Sequence, residues 1–309
     1  MPKNKNIEIT NFKNFRWYNI KDIKPKDIKF LKENFSFNKI NIDNCLPPLQ
    51  RPKILKYPEY IFMILLFPYY DKKSREIKIT EVDFFISTSY IVTVHQNLLE
   101  PLAEISKKYR DPNAAAADFG ANPVNLLYDI LDSLLGYCFP ILNHVGIDID
   151  NIEEKIFSNP QRENIKDILL IKRNIVNFRK AMQAHKNVIR KLIGHSPAFF
   201  ETRKLATYFE NLVEQTKDIW DLLENYKDTI DALHNSNESL VSFRLSEIMK
   251  TLTIFSVIVF PLTLFAAVFS MNVQGTPFVD HPLGFWIVMI MMFLGTVGML
   301  VFFKLKKWI

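Results

Sequence analysis

The sequence predicts a membrane protein with an α+β cytosolic N-terminal domain, long stalk helices and two C-terminal transmembrane helices. Residues 10–110 contain short runs rich in β-forming residues, and the chain from 123 to 250 has helical periodicity. The last 60 residues hold the longest uncharged apolar runs. We therefore divide the chain into an α/β domain (1–122), a helical stalk (123–250) and a transmembrane part (251–309).

Two stretches near the end of the chain have the length and composition of membrane spans. Thr251–Phe269 and Phe285–Phe303 each contain 19 residues and no charged side chain. A spanning helix needs about 20 such residues, whereas a soluble core helix of that length normally has a polar face. Pro261 lies inside the first stretch, which membrane helices tolerate because neighbouring groups satisfy the freed carbonyl. We predict that both stretches span.

The distribution of basic residues predicts the orientation of these spans. Basic residues flank the ends of the two spans that lie away from the connecting loop, and these are Arg244, Lys250, Lys304, Lys306 and Lys307. The connecting loop, 270–284, has no Lys or Arg. The positive-inside rule therefore predicts a multi-pass protein of the cell (inner) membrane with both termini in the cytosol. The first residues contain no apolar signal segment, which agrees with a cytosolic N-terminal part.

A heptad pattern precedes the first span. Apolar and small polar residues recur with alternating steps of four and three over five heptads, at Leu205, Phe209, Leu212, Thr216, Ile219, Leu223, Tyr226, Ile230, Leu233, Asn237 and Leu240. This period predicts one helix from about residue 202 to residue 269. Two earlier stretches, Pro123–Phe157 and Gln161–Ile193, have the same periodicity and are expected to pack antiparallel to it.

The N-terminal part has the signals of a small α/β domain. The runs "YIFMILLFPY", "KITEVDFFIS" and "YIVTVHQN" predict strands. The segment "KPKDIKFLKENF" predicts a short helix after Pro25, and "DPNAAAADFGANP" (111–123) predicts the joint with the stalk.

Composition narrows the class of function. The net charge is +6, but no Arg/Lys patch with interleaved aromatic residues stands out, so we predict no nucleic-acid partner. Cys45 and Cys138 match no metal-ligand spacing and are predicted to be reduced thiols. No nucleophile constellation, Gly-rich phosphate loop or metal-ligand cluster predicts an enzyme or a catalytic residue.

The chain resembles the CorA family of magnesium/cobalt transport proteins over nearly its whole length. The most specific parts are "RLSEIMKTLTIFSVIVFPLTLFAAVFSMN" (244–272) and "KLKKWI" (304–309). Further similar stretches are "DNCLPPLQRPKILKYPEYIFMIL" (43–65), "EVDFFISTSYIVTVHQ" (81–96), "LLYDILDSLLGYCFPIL" (126–142) and "LLIKRNIVNFRKAM" (169–182). The resemblance implies a homopentameric funnel in the lipid bilayer, with the long helix lining a central pore.

The family signature at the outer pore mouth is Gly-Met-Asn, which here reads Ser270-Met271-Asn272. A ring of Asn272 amides would hold a cation through its hydration shell, without the strong trapping that carboxylates cause. The alternative is that Asn272 only caps the helix. Ser270 either strains the backbone, if its φ is positive, or adds a ring of hydroxyls below the asparagines.

Helical spacing back from Asn272 predicts a pore-lining face of alternating hydroxyl and apolar residues. Its members are Ser246, Met249, Leu252, Thr253, Ser256, Phe260, Thr263 and Ala267. By resemblance, Met249 and Leu252 correspond to the hydrophobic constriction of the family. The hydroxyls of Ser256 and Thr263 would contact pore water or form hydrogen bonds between helices. Lys304, Lys306 and Lys307 would form a basic ring at the cytosolic mouth.

The predicted function is transport of a divalent cation, with Mg²⁺ as the first choice and Co²⁺ or Ni²⁺ as further cargo. One alternative is a Zn²⁺ transporter of the ZntB type, with or without proton coupling, in which His281 would be a ligand. Another is a membrane-anchored coiled-coil scaffold without transport. No Asp or Glu lies within either span, which argues against a proton relay there. We expect no cofactor, and Mg²⁺ or another divalent cation is expected as the transported ion and as a candidate regulatory ion.

The family is gated by Mg²⁺ bound between subunits by carboxylates. Acidic residues are available on the long helix, namely Glu210, Glu214, Asp218, Asp221, Glu224 and Asp228. The sequence assigns none of them to a regulatory site.

Overall fold

A computed structural model describes residues 6–110, 122–158, 164–195, 203–271 and 281–308. Most of the predicted joint (111–123) lies outside these residues. Six strands are described, β1 (Ile7–Asn11), β2 (Arg16–Lys21), β3 (Lys53–Lys56), β4 (Ile61–Asp71), β5 (Glu76–Ile86) and β6 (Tyr90–His95). The described helices are α1 (Pro25–Asn34), α2 (Lys39–Asn44), α3 (Glu100–Lys108), α4 (Pro123–Gly136), α5 (Cys138–Ser158), α6 (Asn164–Met182), α7 (His185–His195), α8 (Arg203–Ser270) and α9 (Gly284–Leu305).

The six strands form one sheet in the order β1-β2-β6-β5-β4-β3, and every pair is antiparallel except β2–β6. The three apolar runs of the sequence are β4, β5 and β6, as predicted, and the segment after Pro25 is α1. A continuous apolar core covers one face of the sheet. In this core Phe85 stacks on Phe37, with ring centroids 4.0 Å apart, beside residues from α1 and α2.

The free edge of β5 is paired by asparagine side chains. Strand β6 pairs only with Val82–Ile86, so within the described part of the chain the first half of β5 has no strand on that side. The Ile77 N–H donates to Asn174 Oδ1 at 2.9 Å, and the Ile77 carbonyl accepts from Asn177 Nδ2 at 2.9 Å. Helix α6 thus takes the place of a neighbouring strand and satisfies the backbone groups of Ile77. Leaving such groups buried and unpaired would cost about 1–3 kcal/mol per group.

The predicted helical stretch Pro123–Phe157 is two helices, α4 and α5, separated at Tyr137. Pro140 explains the break, because its ring clashes with the carbonyl four residues earlier, on Gly136, and it has no N–H to donate. The stretch Gln161–Ile193 is likewise divided, into α6 and α7. Both differences arise from local breaks that hydrophobic periodicity does not register.

Helix α8 runs unbroken from Arg203 to Ser270, as the heptad pattern predicted. The seam residues from Phe209 to Leu233 are buried, except Tyr226, which is half-buried. Thr216, a polar seam residue, donates its hydroxyl hydrogen to the Val213 carbonyl at 2.7 Å, so its burial leaves no unpaired donor. The chain forms two compact units, one reaching His234 and the other beginning at Asn235. The division at 122 and 250 stays a prediction.

Helix α5 contacts α8 at a glycine that leaves room for a tyrosine. A Cβ added at Gly146 would lie 2.9 Å from the Tyr226 hydroxyl oxygen, closer than real Cβ contacts allow. By contrast, a Cβ added at Gly136 would have no atom within 4 Å. A side chain at Gly146 would therefore have to displace the Tyr226 ring, whereas a side chain at Gly136 would meet open space.

We predict that Gly146→Leu destabilises the first unit by about 1–3 kcal/mol through overpacking, although leucine is the better helix former. Gly136→Leu is the matched control and should leave the thermal midpoint of the full-length protein unchanged or raise it. The double variant Gly146→Leu/Tyr226→Ala should regain most of the loss. An unchanged midpoint for Gly146→Leu would show that α5 and α8 are not in contact here.

Candidate pore face and its two ends

The predicted pore-lining residues lie on the C-terminal part of α8 and are accessible in the single chain. Ser246, Met249, Leu252, Thr253, Phe260, Thr263 and Ala267 are exposed, and Ser256 is half-buried. Four of them line one shallow groove with Val257 and Pro261, and these four are Leu252, Thr253, Ser256 and Phe260. The structure thus brings the middle of the predicted face together on one surface.

The hydroxyl groups of this face donate to their own helix. Thr253, Ser256 and Thr263 each donate to the carbonyl four residues earlier, at 2.8, 2.9 and 2.8 Å. A hydroxyl has one hydrogen and two lone pairs. Because the hydrogen is used within α8, each oxygen is available to its surroundings as an acceptor.

Ser270 is the last residue of α8, and its hydroxyl donates to the Ala267 carbonyl at 3.0 Å. Among the described residues with positive φ are Asp22, Arg75 and Lys307, but not Ser270. Ser270 therefore fits the helix end without the backbone strain that was one of the two expectations for this position. Met271 is exposed, and its N–H donates to the Val268 carbonyl at 3.3 Å. Asn272 lies outside the described residues.

The end of α9 is a Schellman motif that sequence reasoning missed. Lys307 has a φ of 55°, the Trp308 N–H donates to the Phe303 carbonyl at 2.9 Å, and the Lys307 N–H donates to the Lys304 carbonyl at 3.1 Å. The Trp308 ring stacks on Phe303, with centroids 5.8 Å apart, which is the apolar contact this motif usually has. The five-residue spacing of Phe303 and Trp308 could have indicated this motif in the sequence, but the glycine that usually occupies the left-handed position is replaced by Lys307.

The motif fixes the backbone that carries the three predicted basic residues. Lys304, Lys306 and Lys307 are all exposed. At the other flank, Lys250 lies 3.8 Å from Glu247, in a partly exposed ion pair. Charge is thus concentrated at the ends of the apolar stretches that lie away from the connecting loop, as the sequence pattern indicated.

The apolar side chains of these stretches are mostly exposed in the single chain, for example Phe260, Leu264, Phe285 and Phe293. Three helical stretches of the described residues are long and apolar enough to cross a membrane, Pro123–Ser158, Thr207–Ser270 and Gly284–Leu305. The first, which comprises α4 and α5, differs from the others because its apolar face is buried in the first unit. We attribute its hydropathy to core packing.

The described residues contain no group of three or more His, Cys, Asp or Glu side chains arranged to hold a metal ion. The candidate regulatory carboxylates are all exposed on α8, at Glu210, Glu214, Asp218, Asp221, Glu224 and Asp228. His281 Nδ1 accepts from the Leu283 N–H at 3.2 Å.

Known proteins of the same architecture match nearly the whole chain. The cobalt/magnesium transport protein CorA of Thermotoga maritima is 28% identical over 294 residues, covering 95% of this chain and 83% of that protein. The complete structure of the CorA magnesium transporter from Methanocaldococcus jannaschii superposes with a TM-score of 0.84 at 20% identity, covering 96% and 92% of the two chains. This likeness shows the fold.

A zinc transport protein, ZntB of Pectobacterium atrosepticum, is also similar, with 20% identity over 84% of this chain and 77% of that protein. The family described as CorA-like Mg²⁺ transporter protein matches residues 12–307. The chain therefore belongs to the CorA-like Mg²⁺ transporter family.

Proposed function

We propose that this protein is a divalent cation transporter of the cell membrane, with Mg²⁺ as its main cargo, and not an enzyme. In this proposal five identical chains surround a central water path lined by the C-terminal part of α8. Ions move down the membrane potential, which provides about 2.3 kcal/mol per elementary charge per 100 mV. Both termini lie in the cytosol.

The observation that carries the proposal is the acceptor character of the α8 hydroxyls. A hydrated Mg²⁺ gives up its water ligands reluctantly, and those waters direct their hydrogens outward. Thr253, Ser256 and Thr263 have used their own hydrogens within the helix, so their oxygens accept hydrogen bonds from such waters. Acceptors of this kind bind a hydrated ion weakly, as conduction requires.

The exposed apolar surface of the single chain supports an assembly of several copies. Two helices cannot enclose a water path, and a closed ring of identical subunits can. Leu252 and Phe260 line the same groove as the hydroxyl residues Thr253 and Ser256. In a ring of copies, rings of hydroxyl groups would therefore alternate with rings of apolar side chains along the pore. Apolar rings of this kind can close a pore by losing water.

The chemistry of this face favours a hard, hydrated cation. Its described members provide hydroxyl oxygens, apolar groups and one thioether, from Met249, and no imidazole or thiol. Zn²⁺ is usually bound by imidazole nitrogen and thiolate sulfur, which the described members of this face do not provide. Mg²⁺ is therefore our first choice of transported ion. Faster uptake of Zn²⁺ than of Mg²⁺ into proteoliposomes would reverse this choice.

We place a ring of Asn272 amides at the outer mouth, next to the Ser270 hydroxyls, by resemblance to the family motif. The proposal predicts that Asn272→Ala lowers Mg²⁺ uptake into proteoliposomes by at least about tenfold, because the neutral acceptors of the outer shell are lost. Ser270→Gly is the matched control, and since Ser270 is unstrained, its uptake should stay within about threefold of the parent. Equal uptake by Asn272→Ala and the parent would contradict the assigned mouth.

A second prediction concerns the cytosolic end. Replacing Lys304, Lys306 and Lys307 together by glutamine removes three positive charges per chain, which should raise passive Mg²⁺ leak because the electrostatic barrier is lower. Arg244 and Lys250 remain to direct topology. Protease accessibility of the N-terminal part verifies orientation, and unchanged leak in correctly oriented protein would contradict a barrier at this ring.

A further inference from the structure

Pro261 leaves one backbone carbonyl of α8 without its helical partner. In a regular helix the N–H of residue 261 would donate to the Val257 carbonyl, and proline has no N–H. Helix α8 nevertheless continues unbroken to Ser270, so the neighbouring N–H groups keep their own helical acceptors. Pro261 lies near the middle of the uncharged stretch 251–269, where lipid offers no donor and an unpaired carbonyl is costly.

The freed carbonyl lies along the groove of the candidate pore face. Val257 and Pro261 both line this groove, beside Thr253 and Ser256. A helical carbonyl is directed along the axis toward the residue four positions later, so the Val257 oxygen lies between two residues of the groove wall. The groove therefore has a backbone acceptor next to its hydroxyl acceptors.

No hydroxyl group of the two apolar stretches, which the structure describes completely, has a hydrogen left for this carbonyl. Each Ser and Thr of 251–269 and 285–303 donates to the carbonyl four residues earlier on its own helix, and these are Thr251, Thr253, Ser256, Thr263 and Thr296. The other side-chain donor of these stretches is the indole N–H of Trp286, at the loop end of α9. Identical copies of the chain have the same pairing, so a neighbouring subunit offers no hydroxyl donor either.

Water is then the donor that remains for the Val257 carbonyl, and it can reach this oxygen only where the face is wet in the middle of the span. Ser256 and Thr263 are seven residues apart, which is about 10 Å along a helix, and Phe260 lies between them. The Val257 oxygen lies within that interval. It therefore provides an acceptor where the side chains of the face provide none.

We propose that the Val257 carbonyl, freed by Pro261, accepts hydrogen bonds from the water shell of the transported cation and helps the hydrated ion to pass the apolar level at Phe260. This inference rests on the proposed function and adds a backbone group to its hydroxyl face. Mg²⁺ keeps its water ligands tightly, and their hydrogens point outward, so an acceptor is the group that fits the ion. The helix fixes this oxygen in position, whereas a side chain can rotate away.

The test compares two replacements of Pro261 that differ in one backbone group. Pro261→Ala restores the N–H that donates to the Val257 carbonyl. Lactic acid, the hydroxy-acid counterpart of alanine, is introduced at residue 261 by nonsense suppression; it has an ester oxygen in place of the N–H and leaves the carbonyl free. Both proteins lack the proline ring, so any effect of the lost ring on the bend of the helix is common to both.

Initial Mg²⁺ uptake is measured in proteoliposomes. We expect Pro261→Ala to be at least about fivefold slower than the parent, the effect of one hydrogen bond, and the lactic acid protein to stay within about twofold of the parent. The matched control has the hydroxy-acid counterpart of leucine in place of Leu262. It frees the Ile258 carbonyl, which lies outside the groove, and it should transport as the parent does.

Equal uptake by the alanine and lactic acid proteins would overturn the inference and leave the proposed transport intact. If both were as fast as the parent, the carbonyl would have no role in transport, and if both were slow, the proline ring alone would matter. A parent that moves no Mg²⁺, Co²⁺ or Zn²⁺ would instead overturn the proposed function together with this inference. Should Pro261→Ala fail to assemble, Pro261→Gly and glycolic acid at the same residue provide the same comparison.

Discussion

The structure of α8 depends on one constraint, that polar groups on an apolar helix must be satisfied within that helix. Lipid offers no hydrogen-bond partners to the backbone of a span, and a Ser or Thr on a helix can donate its hydroxyl hydrogen to a carbonyl of the preceding turn. Thr253, Ser256 and Thr263 do this by donating to carbonyls one turn earlier. The same bonds make each hydroxyl oxygen an acceptor toward its surroundings, and the proposed handling of hydrated cations follows from that.

The first unit satisfies several of its buried polar groups in a comparable way. Asn174 and Asn177 complete the free edge of β5, and Thr216 satisfies its own hydroxyl on the buried seam of α8. Other buried polar atoms of the described residues, such as Asn19 Nδ2 and Thr80 Oγ1, have no hydrogen-bond partner in the structure.

Most of the fold could be predicted from the sequence, because its elements are long and strongly periodic. The heptads from Phe209 to Leu233 predicted a buried seam, and the apolar runs predicted β4, β5 and β6. The break at Tyr137 was not predicted, because it depends on Pro140 acting on the carbonyl of Gly136. The Schellman motif at Lys307 was missed because a lysine occupies the left-handed position that glycine usually takes.

The candidate site was predicted in part. Helical spacing grouped Leu252, Thr253, Ser256 and Phe260, which line one groove of α8, since spacing decides which residues share a side of a helix. The direction of the hydroxyl hydrogen bonds could not be read from spacing, because a Ser or Thr can donate to its own helix or to a neighbour. The pore role of this face and of Asn272 stays a prediction.

The central claim is that identical copies of α8 enclose water along one face. The most direct test is to introduce single cysteines from residue 246 to 267 into a protein without Cys45 and Cys138, and to measure block of Mg²⁺ flux by a charged, membrane-impermeant thiol reagent. The account predicts block at Ser246, Met249, Thr253, Ser256, Phe260, Thr263 and Ala267, and none at Phe255, Ile258 and Leu262 on the other faces. Block that shows no helical periodicity along these positions, or no block at any position, would contradict this claim.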